Sequence, residues 1–105
     1  MSMEFKIEIL LKAYDDVSDA FSYYQNKREG LGDKFYLDFN NQITKLSINP
    51  FYYGSYKFSF RRIAFRFFPY IIIYFIEEDR KVTVHAVKYA GEDPKNIESK
   101  LGINQ

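Results

Sequence analysis

From Lys57 to Tyr74 the chain reads KFSFRRIAFRFFPYIIIY, and this stretch constrains the fold more than any other. Ile71, Ile72, Ile73 and Phe75 form a nearly unbroken apolar run. Such a run is short enough to be a strand, and too uniformly apolar for one that shows a face to water. It predicts a central strand, covered on both sides, over roughly 70–77. The segment before it differs in character. Lys57, Arg61, Arg62 and Arg66 lie among aromatic and aliphatic residues, and no acidic residue occurs between Gly54 and Ile76. The formal charge of the whole chain is only +1, so this positive charge is local. A local basic patch on a sheet is a candidate surface for anions or nucleic acid.

The rest of the chain supplies elements to pack on that strand. Residues 4–12 place Phe5, Ile7 and Ile9 on one side and Glu4, Lys6 and Glu8 on the other, which predicts a half-buried strand. Asp15 or Asp16 then caps a helix whose stripe is Val17, Ala20, Phe21 and Tyr24. Arg28-Glu29-Gly30 closes it, with Gly30 as a left-handed cap. A second helix follows, with Leu31, Phe35, Phe39, Ile43 and Leu46 on one face and Tyr36 and Leu37 beside it. Asn49-Pro50 stops this helix, because the residue before proline avoids helical backbone. The short connection between the two predicts a helical hairpin.

A tyrosine-rich loop (51–56) leads to a predicted strand over 57–67. Pro69 marks a turn into the central strand. A polar turn at 77–80 leads to a last strand, on which Val82, Val84 and Ala86 alternate with Lys81, Thr83 and His85. A short helical tail is expected over NIESKLG. Strand, two helices, then three strands predict an α+β fold. The expected sheet is mainly antiparallel, with a three-strand meander and the helices on one face.

With 105 residues the chain is expected to be one domain, 1–105. It contains no cysteine, so neither a disulfide framework nor a thiolate zinc site is available, and a reducing cytoplasm is the expected location. The lone histidine, His85, argues against a histidine-rich metal site. No metal and no cofactor is expected. Nor is a membrane: the run after Tyr70 is too short to span a bilayer. The apolar N-terminal run is interrupted by Lys6 and Glu8, so no signal peptide is expected either.

Several motifs, in this order, resemble the RelE/ParE superfamily of toxin–antitoxin and plasmid stabilisation system toxins. Leu46 to Pro50 is similar to that family's L-x-x-x-P helix end. Arg61 to Tyr70 (RRIAFRFFPY) resembles its Arg-Arg … Phe-Pro-Tyr hairpin, and Tyr74 matches a tyrosine in the strand that follows. Val82 to Pro94 resembles its last strand and exit. The resemblance covers nearly the whole chain and implies a toxin neutralised by a cognate antitoxin, often a helical peptide wrapped over the domain. RelE-like members cut messenger RNA on the ribosome without a metal. ParE-like members poison DNA gyrase and lack the nuclease residues. A non-toxic relative that keeps only a protein interface is a third reading, and a homodimer is an open option.

This sequence departs from the pattern where the nuclease residues matter. Ile71 and Ile72 stand where many members carry an arginine after Phe-Pro-Tyr. Tyr89, Gly91 and Glu92 stand at the exit histidine and arginines. These departures favour the ParE-like reading over the RelE-like one.

Metal-free RNA cleavage requires a deprotonated 2′-hydroxyl, stabilisation of the phosphate's growing charge and a protonated leaving oxygen. The candidate catalytic residues are Arg61, Arg66, Tyr89 and His85. Lys57, Arg61, Arg62, Arg66 and Lys88 are the candidates for binding nucleic acid or another target. A regular strand over 57–67 would place Lys57, Ser59 and Arg61 on one face and Arg62, Ala64 and Arg66 on the other. Arg61 or Arg62 could instead pair with a helix acid, and Tyr70 and Tyr74 read as core or sheet-surface rings. The tyrosine loop is a candidate for base stacking or for an antitoxin-covered surface.

Overall fold

In the computed structural model, which describes residues 4–91, strand β1 (Lys6–Ile9) leads into helix α1 (Leu11–Lys27) and helix α2 (Leu31–Ile48). Strands β2 (Arg61–Ala64), β3 (Tyr70–Glu77) and β4 (Lys81–Tyr89) follow. The sheet order is β1-β4-β3-β2. β2, β3 and β4 form the expected antiparallel meander, and β1 pairs in parallel with β4. The fold is α+β.

The apolar run lies at the centre of the sheet, as its composition requires. Ile72 and Tyr74 face the helices and join Ile63, Val82, Val84 and Val87 in the main core. Ala13, Val17 and Ala20 of α1 and Phe35, Phe39 and Leu46 of α2 cover them. Ile71 and Ile73 point the other way and pack with Ala86 under Tyr56 and Phe60. Both faces of β3 are therefore dry, which is why no polar residue interrupts it.

Four boundaries differ from the sequence-based expectations. The first strand is shorter than 4–12, because Leu11 and Lys12 already belong to α1. Neither Asp15 nor Asp16 caps that helix; both lie inside it, and Leu10 occupies the cap with no side-chain hydrogen bond. Asp16 spans to the sheet instead. β1 ends where it pairs with Val84, so the next stretch of β4 has no neighbouring strand on that side. There the Val87 amide donates to Asp16 Oδ2 at 3.0 Å, which satisfies an edge donor that would otherwise be orphaned. Gly30 is left-handed, with φ of 90°, but it sits at the start of α2, after an extended Arg28.

The strand expected over 57–67 is confined to Arg61–Ala64. Lys57–Ser59 form a 3-10 turn in which Phe58 and Ser59 have φ of 58° and 72°. Left-handed backbone ends a ladder, and here it folds Tyr56 and Phe60 over the outer face of β3. The alternation expected along β4 is also broken. The β3–β4 register shifts between Ile73 and Tyr74, leaving His85 as the extra residue of a bulge. Ala86 therefore joins the outer cluster, and Val87 takes the place in the main core. The acidic residues Glu92 and Asp93 and the helical tail expected after them lie outside the described residues.

Two close approaches lock the layers. Gly32 lets α2 pass α1, because a Cβ there would lie 2.7 Å from the Phe21 carbonyl oxygen. Asp38, only 3% exposed, projects from the buried side of α2 into the bend between β2 and β3. Its Oδ1 accepts from the Arg66 amide at 3.1 Å, and its Oδ2 from the amides of Phe67 and Phe68 at 2.8 and 3.3 Å. Gln42, one helical turn on, donates to the same carboxylate at 3.1 Å. Removing this buried acceptor leaves three part-buried amides and Gln42 without it, so Asp38→Ala should lower the unfolding free energy by roughly 3 kcal/mol in urea denaturation. Asp33→Ala, on the exposed first turn of α2, should cost no more than about 1 kcal/mol in the same measurement.

Candidate functional site

The structure disperses the candidate residues. Arg61 lies on the helix side of β2, paired with Tyr74. Its guanidinium donates to the carbonyls of Phe51 and Tyr53 at 3.3 and 3.0 Å and sits 5.7 Å from the Phe51 ring centre. It thus clamps the tyrosine-rich loop to the sheet by its backbone, and no helix acid is involved. Beside it the Tyr74 hydroxyl, fully buried, donates to the Pro50 carbonyl at 2.6 Å. Burial pushes Tyr74 up to about 12 despite the opposing pull of Arg61, so its proton is held.

Arg62 faces the opposite side of the sheet, level with Ile73, and is exposed. Arg66 is not on a strand. It lies in the bend, exposed, with its guanidinium 5.2 Å from the centre of the Phe67 ring. Lys57 is exposed on the 3-10 turn. Lys88 is only 5% exposed, and its ammonium donates to Asp16 Oδ1 at 2.6 Å. This pair and the Val87–Asp16 bond tie the end of β4 to α1.

His85, in the bulge, lies edge-on to Phe60 with ring centres 5.0 Å apart. Its buried Nδ1 has no hydrogen-bond partner. Burial, and then the nearby Lys12, push its pKa below the ordinary value, and Glu77 opposes them. Tyr89 is half-exposed at the far end of β4, directly across from Tyr70. The Tyr70–Tyr89 rung stands four residues along β3 from the Tyr74–Arg61 rung, roughly 13 Å at ordinary strand rise. Arg66 and Tyr89 thus lie toward one end of the sheet, with Arg61 further along it and Arg62 on the other face.

Two concave surfaces were not anticipated from sequence. One, of about 450 Å³, runs between α2 and the β2–β3 bend. Its floor includes Leu31, Leu37, Phe67 and Phe68, and Arg28 and Lys34 stand at its edge. Leu37 and Phe67 are 61% and 74% exposed, unusual for large apolar side chains unless something covers them. The signal was available, since Leu37 lies off the helix's buried stripe and Phe67 sits in a bend. The other surface is a tyrosine-walled cleft between α1 and the Tyr70–Tyr89 rung. Asp38 and Asp16 were also legible: each falls within the apolar stripe of its helix, where a carboxylate needs a partner. Among the described residues no three His, Cys, Asp or Glu side chains are grouped to hold a metal ion, and no helix is long and apolar enough to cross a membrane.

The fold is shared with solved structures of RelE and ParE type. A chain of the chromosomal ParDE TA system from P. aeruginosa superposes with a TM-score of 0.72 at 14% identity, over 84% of this chain and 98% of that one. The free E. coli toxin RelE, as a double arginine-to-alanine mutant, superposes with a TM-score of 0.65 at 12% identity, over 95% and 96%. No family model and no curated protein matches the sequence.

His85 provides a test of the geometry around the bulge. Its folded-state pKa is depressed, so below the ordinary value of 6.5 the unfolded chain takes up a proton that the folded chain resists. Stability should therefore fall as pH drops through that value. Urea denaturation between about pH 7.5 and about pH 5.5 should show a larger loss for the parent than for His85→Gln.

Proposed function

We propose that the chain is the toxin of a type II toxin–antitoxin pair, of the ParE-like kind. It acts as one domain in the cytoplasm, arrests its target by binding, requires no metal or cofactor and is held inactive by a cognate antitoxin. The fold likeness supports the toxin reading. The observation that carries the ParE-like reading is the structural commitment of several candidate catalytic and binding groups. Arg61 holds two carbonyls, Lys88 is buried against Asp16, and His85 sits in an aromatic bulge with a depressed pKa. Tyr89 stands well along the sheet from Arg61. A phosphate would need several of these groups converging on it.

The apolar groove along α2 supports the antitoxin partner. Its exposed Leu37 and Phe67, with Arg28 and Lys34 beside them, suit an amphipathic segment carrying acidic residues. DNA gyrase is the target that the ParE-like resemblance implies.

The test is controlled expression of the chain in a bacterium, following growth, plasmid supercoiling and the 5′ ends of cellular RNA together. The reading predicts growth arrest with loss of supercoiling and with messages intact. New cuts at defined codon positions would overturn it in favour of a RelE-like endoribonuclease that binds phosphate through Arg61, Arg62 and Arg66 and transfers protons through Tyr89 or His85. Absence of arrest would leave a non-toxic relative of the same fold.

A further inference from the structure

The cleft between α1 and the Tyr70–Tyr89 rung has a chemistry unlike that of the basic segment. Helical spacing puts Asp16, Asp19, Tyr23, Tyr24 and Lys27 along one side of α1. The β4 bulge shifts the strand's alternation so that Tyr89, level with Tyr70, faces that helix. The result is a pair of adjoining hollows of about 310 and 320 Å³ that share Tyr23, Tyr70 and Tyr89. Tyr24 completes the walls of one, and Asp16 and Asp19 line the other.

The rings are set edge to face. Tyr23 and Tyr24 meet at 80°, Tyr24 and Tyr70 at 67°, and Tyr70 and Tyr89 at 72°. Edge-to-face contact keeps these rings from stacking into a closed pile, and all four line the two hollows. Gly91 helps to set the last wall, since a Cβ there would lie 2.7 Å from Cε2 of Tyr89. Burial raises the pKa values of Tyr24 and Tyr70, the latter to about 12, so these rings stay neutral.

We infer that this cleft is a receptor for a cationic side chain, an arginine guanidinium presented by a protein partner. The π-faces attract a cation, and a planar guanidinium can stack on one ring while its N–H groups reach tyrosine oxygens and a carboxylate. The charge inventory points the same way. Asp16 is paired with Lys88, and among the described residues Asp19 is the other carboxylate in the lining, with Lys27 at the rim. A phosphate or an acidic peptide would meet that carboxylate. The chain also offers a precedent at the rim, where its own Lys27 ammonium rests 4.9 Å from the centre of the Tyr23 ring. This site lies apart from the apolar groove along α2, and the inference holds whichever cellular target the protein has.

The test is an NMR titration of the full-length protein, with tyrosine rings labelled, against blocked Gly-Arg-Gly, Gly-Lys-Gly and Gly-citrulline-Gly peptides. Citrulline keeps the shape of arginine and lacks its charge. The arginine peptide should move the Tyr23, Tyr70 and Tyr89 ring signals saturably and bind about fivefold more tightly than the citrulline peptide. Asp19→Asn should weaken arginine binding about threefold and Tyr89→Ala about tenfold, with Tyr89→Phe restoring most of the loss. Both positions are exposed, so folding should survive. Unmoved ring signals, or equal binding of the citrulline peptide, would overturn the inference. Equal binding of the lysine peptide would overturn the assignment to guanidinium.

Discussion

The Asp38 carboxylate is the interaction on which the arrangement of this molecule depends. The bend from Arg66 to Pro69 is irregular backbone, and its amides find no partner in the sheet. Asp38 accepts three of them from α2, across the layer interface. A helix side chain thereby fixes where the β2–β3 hairpin turns. Aromatic packing then follows from position. Phe35 contacts Phe65, Phe68 and Tyr70 with ring centres 4.9, 5.3 and 5.0 Å apart, and Tyr24 contacts Phe68 at 4.8 Å. These rings connect both helices to both sides of the bend. The apolar groove and the tyrosine cleft lie on either side of this cluster, so the same bond positions both surfaces.

The cations show how weak an inference from charge alone can be. Seen as a string, Lys57 to Arg66 is a basic patch. In the fold it is dispersed over a 3-10 turn, two faces of a short strand and a bend. Arg61 is spent on backbone carbonyls, a common use for a planar group with donors on several sides. Lys88, read as a surface cation, is buried because Asp16 meets it where β4 lacks a neighbouring strand. Desolvating this pair is costly, and removing either partner would leave the other charge stranded.

What was legible in the sequence was periodic or strongly apolar. The buried β3, the amphipathic stripes of α1 and α2 and the stop at Asn49-Pro50 all follow from residue patterns and appear in the structure. What was not legible came from single backbone departures. Left-handed Phe58 and Ser59 ended a strand that the composition would have continued. One bulge at His85 exchanged Ala86 for Val87 in the main core and turned Tyr89 toward α1. No local residue pattern announces either, since neither site carries the glycine that commonly marks such backbone. Asp38 and Asp16 fall between these cases, because a carboxylate in an apolar stripe signals a partner without naming it.

The proposed reading has Arg61 and Lys88 serving the fold and gives none of the candidate residues a reaction to carry out. It is tested most directly by measuring toxicity and unfolding free energy on the same set of variants. Arg61→Ala and Lys88→Met should lose stability, and toxicity should fall only in step with it. His85→Gln and Tyr89→Phe should remain about as stable and as toxic as the parent. A variant that folds as stably as the parent while toxicity disappears, at His85 or Tyr89 above all, would contradict the account and restore a chemical role to that side chain.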